Sequence, residues 1–485
     1  MQRSLAVIGL LALFQPLDAE QPNKPAEVHQ DIVKYLDSIE KELIAINQDI
    51  WNYAELGLEE YRSSKRLMDV LKKNGFRVRS NISNMPTAFV AEYGKGKPII
   101  GILAEYDALP DLSQEIKPER SPFAGRSTGH GCGHCALGTA AAGAALAVKA
   151  VYDQHKLPGT IRLYGTPAEE TVIGKVYMTL DGQFDDLDAC LHWHPSTKNR
   201  IWYGTTKALI SAKFTFTGLP AHASGSPSKG RSALDAVELM NIGVNYMREH
   251  IKETSRIHYV ITNGGGAPNV VPAKAQVWYF IRANTHEDAE YQYHWICDIA
   301  EAAAKMTRTK VAIHIDTDCH EIIPNLPLSK LIERNFKEIG PPKFTKEELA
   351  FARRLQAPLR EDFGLQEQKP LNDTLEPIPD KPYPAEGGST DVGDISWHVP
   401  TGGLSTVCFA AGSPGHSWQN VAAIGSPIGH KGMMVAAKVL ALSAADLLQD
   451  DGVLSAAKAD FKKRLQGRKY TTTIPKGQKA PKSIR

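Results

Sequence analysis

Cysteine is scarce in this chain. Six cysteines in 485 residues, Cys132, Cys135, Cys190, Cys297, Cys319 and Cys408, are too sparse for a disulfide scaffold, so a small cross-linked fold is excluded and at most an isolated pair would oxidise. Net charge is scarce too. Lys and Arg number 56 against 54 for Asp and Glu, a balance that argues against nucleic acid or an acidic partner. The basic excess collects at the end, over 462–485. Long apolar runs are lacking after the first residues, so no later bilayer-spanning segment is expected.

The start is different. Met1-Gln2-Arg3, an apolar run from Leu5 to Phe14, Pro16 and a small Ala19 have the layout of a signal peptide over 1–19. The run is too short for a comfortable membrane span. An exported protein, periplasmic or secreted, is expected, with no stable membrane insertion once the signal is removed; a retained N-terminal anchor is the alternative. The length implies two domains.

The stretch Gly129-His130-Gly131-Cys132-Gly133-His134 is where chemistry concentrates. Cysteine and histidine bind transition metals as thiolate and neutral imidazole, and glycines let the backbone approach closely. The alternative is a glycine loop whose histidines are merely polar, and the rest of the chain decides between the two. The run 138–145 predicts a tightly packed helix behind the loop, continuing to about His155.

Apolar spacing predicts outer helices over 32–56 and 63–74, and β-rich runs predict strands at 87–93, 98–104, 160–165 and 187–194. These strands release Glu105 and Asp107, then Glu169 and Glu170, then His192 and His194, at ends where open α/β sheets build their sites. His192 and His194 alternate, so both face one side of the sheet.

From Thr206 the texture changes. Strands at 208–217, 257–262, 274–282 and 311–318, with helices at 232–251 and 286–305, follow the β-α-β-β-α-β order of a ferredoxin-like sandwich. The expected architecture is an α/β domain with a mixed sheet flanked by helices over 27–205 and 325–450, carrying an inserted ferredoxin-like α+β domain over 206–324. The α/β pattern resumes with a helix at 328–339. A charged, proline-rich stretch at 341–383 interrupts it before a strand at 404–410 and an alanine-rich helix at 431–448. The tail 451–485 is expected to begin as a short helix and end as a basic extension, surface-bound or mobile.

Seven segments taken together carry a resemblance. They are Gly101 to Pro110, Gly129 to His134, Pro167-Ala168-Glu169-Glu170, Trp193-His194-Pro195, Gly218 to Ser224, Pro268 to Pro272 and Pro414-Gly415-His416-Ser417-Trp418. In this order they resemble the M20 metallopeptidase family, in its amidohydrolase branch. The resemblance implies a two-metal hydrolase, with a catalytic α/β domain and an inserted domain through which homodimers form. It implies Cys132, His134, Glu170, His194 and His416 as ligands of two divalent ions, Mn2+ or Zn2+. Two such cations roughly 3.5 to 4 Å apart polarise an amide carbonyl and lower the pKa of a shared water.

Glu169 is then the general base. On extended backbone, successive side chains diverge, so Glu170 would bind metal while Glu169 faces the water. A solvated loop is the plain alternative for this Glu-Glu pair. His192 competes with His194 as ligand, and the Pro195 that follows favours His194. His130 is open to the same two readings, ligand or support of a ligand by hydrogen bonding, and the second is the expectation. Asp107 fits a carboxylate that orients a ligand, or a turn residue before Pro110, and Asp391 fits an acid that orders its loop.

His222, Asn269 and Arg282 match positions that meet the substrate in the wider family. His222 would reach the partner subunit's site, and Arg282 would clasp a carboxylate or else be a surface charge at a strand end. His250, His258, His286, His294, His314 and His320 are expected to be structural. The expected reaction is hydrolysis of the amide of an N-acyl or N-aroyl amino acid, with p-aminobenzoyl-glutamate as the type of small-molecule substrate. A dipeptidase or carboxypeptidase, or a catalytically silent binding protein, are the alternatives.

Overall fold

The computed structural model describes residues 25–385 and 387–483, so the expected signal peptide lies outside the described residues. The apolar spacing over 32–56 folds as two helices, α1 (Pro25–Ser38) and α2 (Glu40–Tyr53), which break at Ile39. Then come α3 (Tyr61–Lys73), β1 (Arg77–Ser80), β2 (Phe89–Lys95), β3 (Ile99–Ala104), α4 (His134–Tyr152) and β4 (Gly159–Gly165). After α5 (Gly174–Leu180), β5 (Ala189–Ser196) and β6 (Arg200–Trp202), the chain builds a second sheet. That part comprises β7 (Ala208–Thr217), α6 (Ala233–Met247), β8 (Arg256–Asn263), β9 (Lys274–Ala283), α7 (His286–Thr307) and β10 (Lys310–Cys319). The first body then resumes with α8 (Leu326–Ile339), α9 (Lys346–Phe363), α10 (Val392–Ser396) and β11 (Thr401–Val407). It closes with α11 (Trp418–Ile424), α12 (Pro427–Gln449) and α13 (Asp451–Leu465).

The larger sheet has seven strands in the order β1-β2-β4-β3-β5-β11-β6. Its centre, β4-β3-β5-β11, is parallel, and β1, β2 and β6 pair antiparallel at the margins. Every residue of β3 is buried, which explains its near-continuous apolar sequence: helices cover both faces of a parallel strand. The ends of β3, β4 and β5 open on the same edge, and the reactive side chains gather there.

Three expectations change here. α4 and α12 are long and apolar enough to cross a membrane by length and composition, contrary to the reading of the sequence, yet 83% and 89% of their apolar windows are buried in the protein. Their small side chains let them pack on each other and on the sheet as core helices. The proline-rich interruption contains α9, begun by a capping box in which Thr345 and Glu348 bond each other's backbone N–H groups. The late strand also sits earlier than expected, ending at Val407.

The second sheet is antiparallel in the order β10-β7-β9-β8, the ferredoxin-like arrangement. Its outermost strand β8 is exposed along most of its length, including Tyr259, Val260 and Ile261.

The tail is not a loose extension. Residues after α13 lie across the junction of the two bodies, where Tyr470 Oη donates to Asp394 at 2.7 Å and Thr473 Oγ1 to Asp318 at 2.8 Å. Gln478 Nε2 donates to the Ile315 carbonyl at 2.7 Å and to Tyr177 at 2.9 Å. Ile474 and Ala480 are buried in the core shared by the two bodies. Of the two readings, surface-bound or mobile, the structure has the tail bound, mostly through uncharged Thr, Tyr, Ile and Gln side chains, with Arg468 lying over the Trp397 ring.

Candidate metal and active site

The Gly129 to His134 loop runs into the N-terminus of α4. A Cβ on Gly129 would lie 2.3 Å from the Leu112 carbonyl oxygen, and Gly133 has φ +86°, so neither position accepts a larger residue without strain. The loop delivers Cys132 and places His134 as the first helical residue. His194 comes from the end of β5. Its Nδ1–H donates to the Pro195 carbonyl at 2.7 Å, which leaves Nε2 facing Cys132 Sγ at 3.2 Å. His416 stands at φ +55° in a loop that Asn420 ties to the cysteine loop, donating to the carbonyls of Gly131 and Pro414.

Glu169 and Glu170 do not lie on extended backbone as expected. They sit in a 3-10 turn bracketed by Ala168 (φ +56°) and Val172 (φ +51°), both left-handed. A β-branched residue in that region is strained, and such strain persists only where surroundings hold it. Here Glu60 Oε1 accepts the Ala168 N–H at 2.8 Å, and Asp107 Oδ2 accepts the Glu170 N–H at 2.9 Å. The tight turn, rather than strand alternation, directs the two carboxylates apart.

The result is two overlapping ligand groups. Donor atoms of Cys132, His134 and His194 lie within 4.8 Å of one another, and so do those of Cys132, Glu170 and His416. Cys132 belongs to both. A third group joins Glu105, His134 and Glu169. His134 Nδ1 donates to Asp107 Oδ1 at 2.8 Å. The buried His134 Nε2 and Glu105 Oε2 face each other at 3.3 Å, and neither they nor the buried Glu170 Oε1 has a hydrogen-bond partner among the described residues. Buried polar atoms of this kind are costly unless something else satisfies them, and a divalent cation suits thiolate, imidazole and carboxylate donors.

Among the protein's own groups, Cys132 and His134 settle in their protonated forms: burial pushes the Cys132 thiol up, and the lowering of His134 by its burial is outweighed by Cys132 and Asp107, which raise it. Burial pushes the Glu170 carboxyl up to about 8, and burial with the neighbouring Glu105 pushes Glu169 well above its ordinary range. Burial holds His194 down at about 4, so its imidazole is neutral and able to ligate. A bound cation would reverse the upward shifts of the acids.

Among the competing residues, His192 stands edge-on against Trp202 with ring centroids 4.5 Å apart, and it joins none of the ligand groups. His130 was expected to support a ligand, but its Nε2–H donates to the Ile50 carbonyl at 3.0 Å. Asp391 orders its loop by accepting from Lys175, from the backbone N–H at 2.8 Å and from Nζ at 2.6 Å.

A cavity of about 380 Å3 opens over the ligand groups, and Arg282 from the end of β9 lines it beside Ser389, to whose Oγ its Nη1 donates at 3.0 Å. His222 and Asn269 do not line this cavity. They lie together in the second body, where the Ala223 N–H bonds the Asn269 carbonyl.

Sequence reading missed Glu60, Glu105 and Lys175. Glu105 was noted only as a strand-end acid. Lys175 is fully buried, with Nζ 2.7 Å from Glu105 and 2.6 Å from Asp391. For Lys175 a lone cation among apolar residues was the available signal, and the partners of all three are distant in the chain.

A parallel-centred sheet whose strand ends gather a thiol, imidazoles and acids, with a ferredoxin-like insertion lending an arginine, defines a hydrolase class. The chain belongs to peptidase family M20/M25/M40, whose model matches residues 101–420. It is 40% identical over 474 residues to a p-aminobenzoyl-glutamate hydrolase subunit of Escherichia coli (strain K12), covering 93% of this chain and 98% of that relative. It is 28% identical over 453 residues to the Xaa-Arg dipeptidase of Mus musculus, covering 90% and 93%. The fold matches that of a dinuclear metal-binding peptidase of the M20 family from Bacillus subtilis, with TM-score 0.53 at 17% identity, covering 85% of this chain and 99% of that one.

Proposed function

We propose that the chain hydrolyses the amide of N-acyl or N-aroyl amino acids of the p-aminobenzoyl-glutamate type, using two divalent ions, zinc or manganese. One observation carries the reading: the two ligand groups share Cys132 and lie beside Glu169. Cys132, His134 and His194 would hold one ion, and Cys132, Glu170 and His416 the other. When bound, such ions polarise a carbonyl and make a water more acidic. Glu169 takes a proton from the attacking water and returns it to the leaving nitrogen. Arg282, half-buried and without an ion pair among the described residues, orients the amino-acid carboxylate. His222 donates to the developing oxyanion in the site of a second copy, with the copies paired along the exposed β8 edge. The basic and apolar start directs export.

Glu169→Gln is expected to retain the wild-type metal content and to lower turnover of p-aminobenzoyl-glutamate at least about a hundredfold. Metal analysis with steady-state kinetics checks both halves, and a variant of near-normal turnover removes Glu169 from the role. The likeness to a dipeptidase supports a second reading, dipeptide hydrolysis at the same ions.

A further inference from the structure

A second cavity, about 280 Å3, adjoins the first and meets it at His194, Trp202 and Thr206. Its walls are flat and fixed. The Trp202 indole N–H donates to Ser405 Oγ at 2.6 Å, and the ring is braced edge-on by His192. Tyr383 comes from the proline-rich segment, and its backbone is tied on both sides: its N–H donates to Tyr203, and its carbonyl accepts from Thr205. The Arg200 guanidinium lies 3.4 Å over the Tyr383 ring centroid.

Two cations, Lys198 and Arg200, line this cavity, and the acid beside both is Glu376, at 3.0 and 4.0 Å. One positive charge is therefore unmatched. Among the described lining residues there is no carboxylate.

An amide centred near His194 has two directions open to it. Toward Arg282 lies a cation suited to the amino-acid carboxylate. The acyl group then points between Trp202 and Tyr383. We infer that this second cavity is the acyl subsite, that its fixed rings select an uncharged aromatic acyl group, and that Lys198 and Arg200 exclude the free α-ammonium of a dipeptide. The inference rests on the amide-hydrolase reading above and assigns the residues that choose between the acyl groups it allows.

The physical grounds are separate for each half. A flat acyl group stacks on rings that need no ordering, so binding is not offset by lost side-chain freedom. An electron-rich ring beside a cation is favoured further. An α-ammonium pointing into this cavity would be desolvated beside Lys198 and Arg200, whose neighbouring Glu376 is already engaged by both, which is how a site rejects a competitor.

The test compares p-aminobenzoyl-glutamate, N-acetyl-glutamate and alanyl-glutamate on metal-reconstituted full-length protein. Wild type is expected to prefer the aroyl substrate over the dipeptide by at least about tenfold in kcat/KM. Tyr383→Ala should raise KM for the aroyl substrate about tenfold more than for the acetyl one. Lys198→Glu, at a half-exposed side chain, should improve the dipeptide's kcat/KM relative to the aroyl substrate about tenfold. Equal KM shifts for both acyl groups in Tyr383→Ala, or a wild type that takes the dipeptide as readily, overturns the inference. If the metal-loaded wild type cleaves none of the three, the amide-hydrolase reading fails by itself. Calorimetric binding of p-aminobenzoate then decides the subsite: binding that Tyr383→Ala weakens supports it, and absent or unaltered binding ends it.

Discussion

Asp107 uses both carboxylate oxygens, one on the His134 imidazole and one on the Glu170 backbone. It thereby fixes the tautomer of one proposed ligand and the turn that aims another. Such partners contribute strongly to metal binding although they do not touch the ion. Asp107→Asn is expected to weaken metal affinity about 10- to 100-fold, read by chelator competition. Unchanged affinity would remove Asp107 from that role. At this scale the sequence was informative where residue type alone carries chemistry, as with Cys132 and His194. It misjudged the Glu169-Glu170 pair, because divergence there depends on left-handed backbone at Ala168 and Val172 that neighbouring acids hold in place.

Helix α5 is short, and its second residue, Lys175, enters the interior to meet Glu105 and Asp391. A buried ion cluster is weak evidence of stability, but removal of one partner leaves charges stranded. Lys175→Met is expected to destabilise the protein by about 3–5 kcal/mol in urea unfolding, and a loss below about 1 kcal/mol would show that the two acids are relieved in another way. Strands such as β3 were legible because a doubly covered strand must be apolar throughout. Helix α9 was not, because its proline and many charges disguise a helix whose capping box is set by only two residues.

Over the whole molecule, the tail fastens the insertion to the first body through Asp318 and Ile315 on one side and Asp394 and Tyr177 on the other. Truncation after Gly467 would expose the surfaces that Ile474 and Ala480 cover and leave buried Asp318 with fewer donors. Calorimetry is expected to show an unfolding midpoint lowered by at least about 3 °C, and an unchanged midpoint would make the tail a passenger.

The sequence by itself determined the α/β class, the ferredoxin-like insertion and the residue types able to bind metal, because periodicity and ligand chemistry are local properties. Only the tertiary structure decided which acids and imidazoles meet, that α4 and α12 are core helices, and where the tail docks. Those outcomes depend on contacts between residues far apart in the chain, and burial rather than composition sets the charge and orientation of the groups involved.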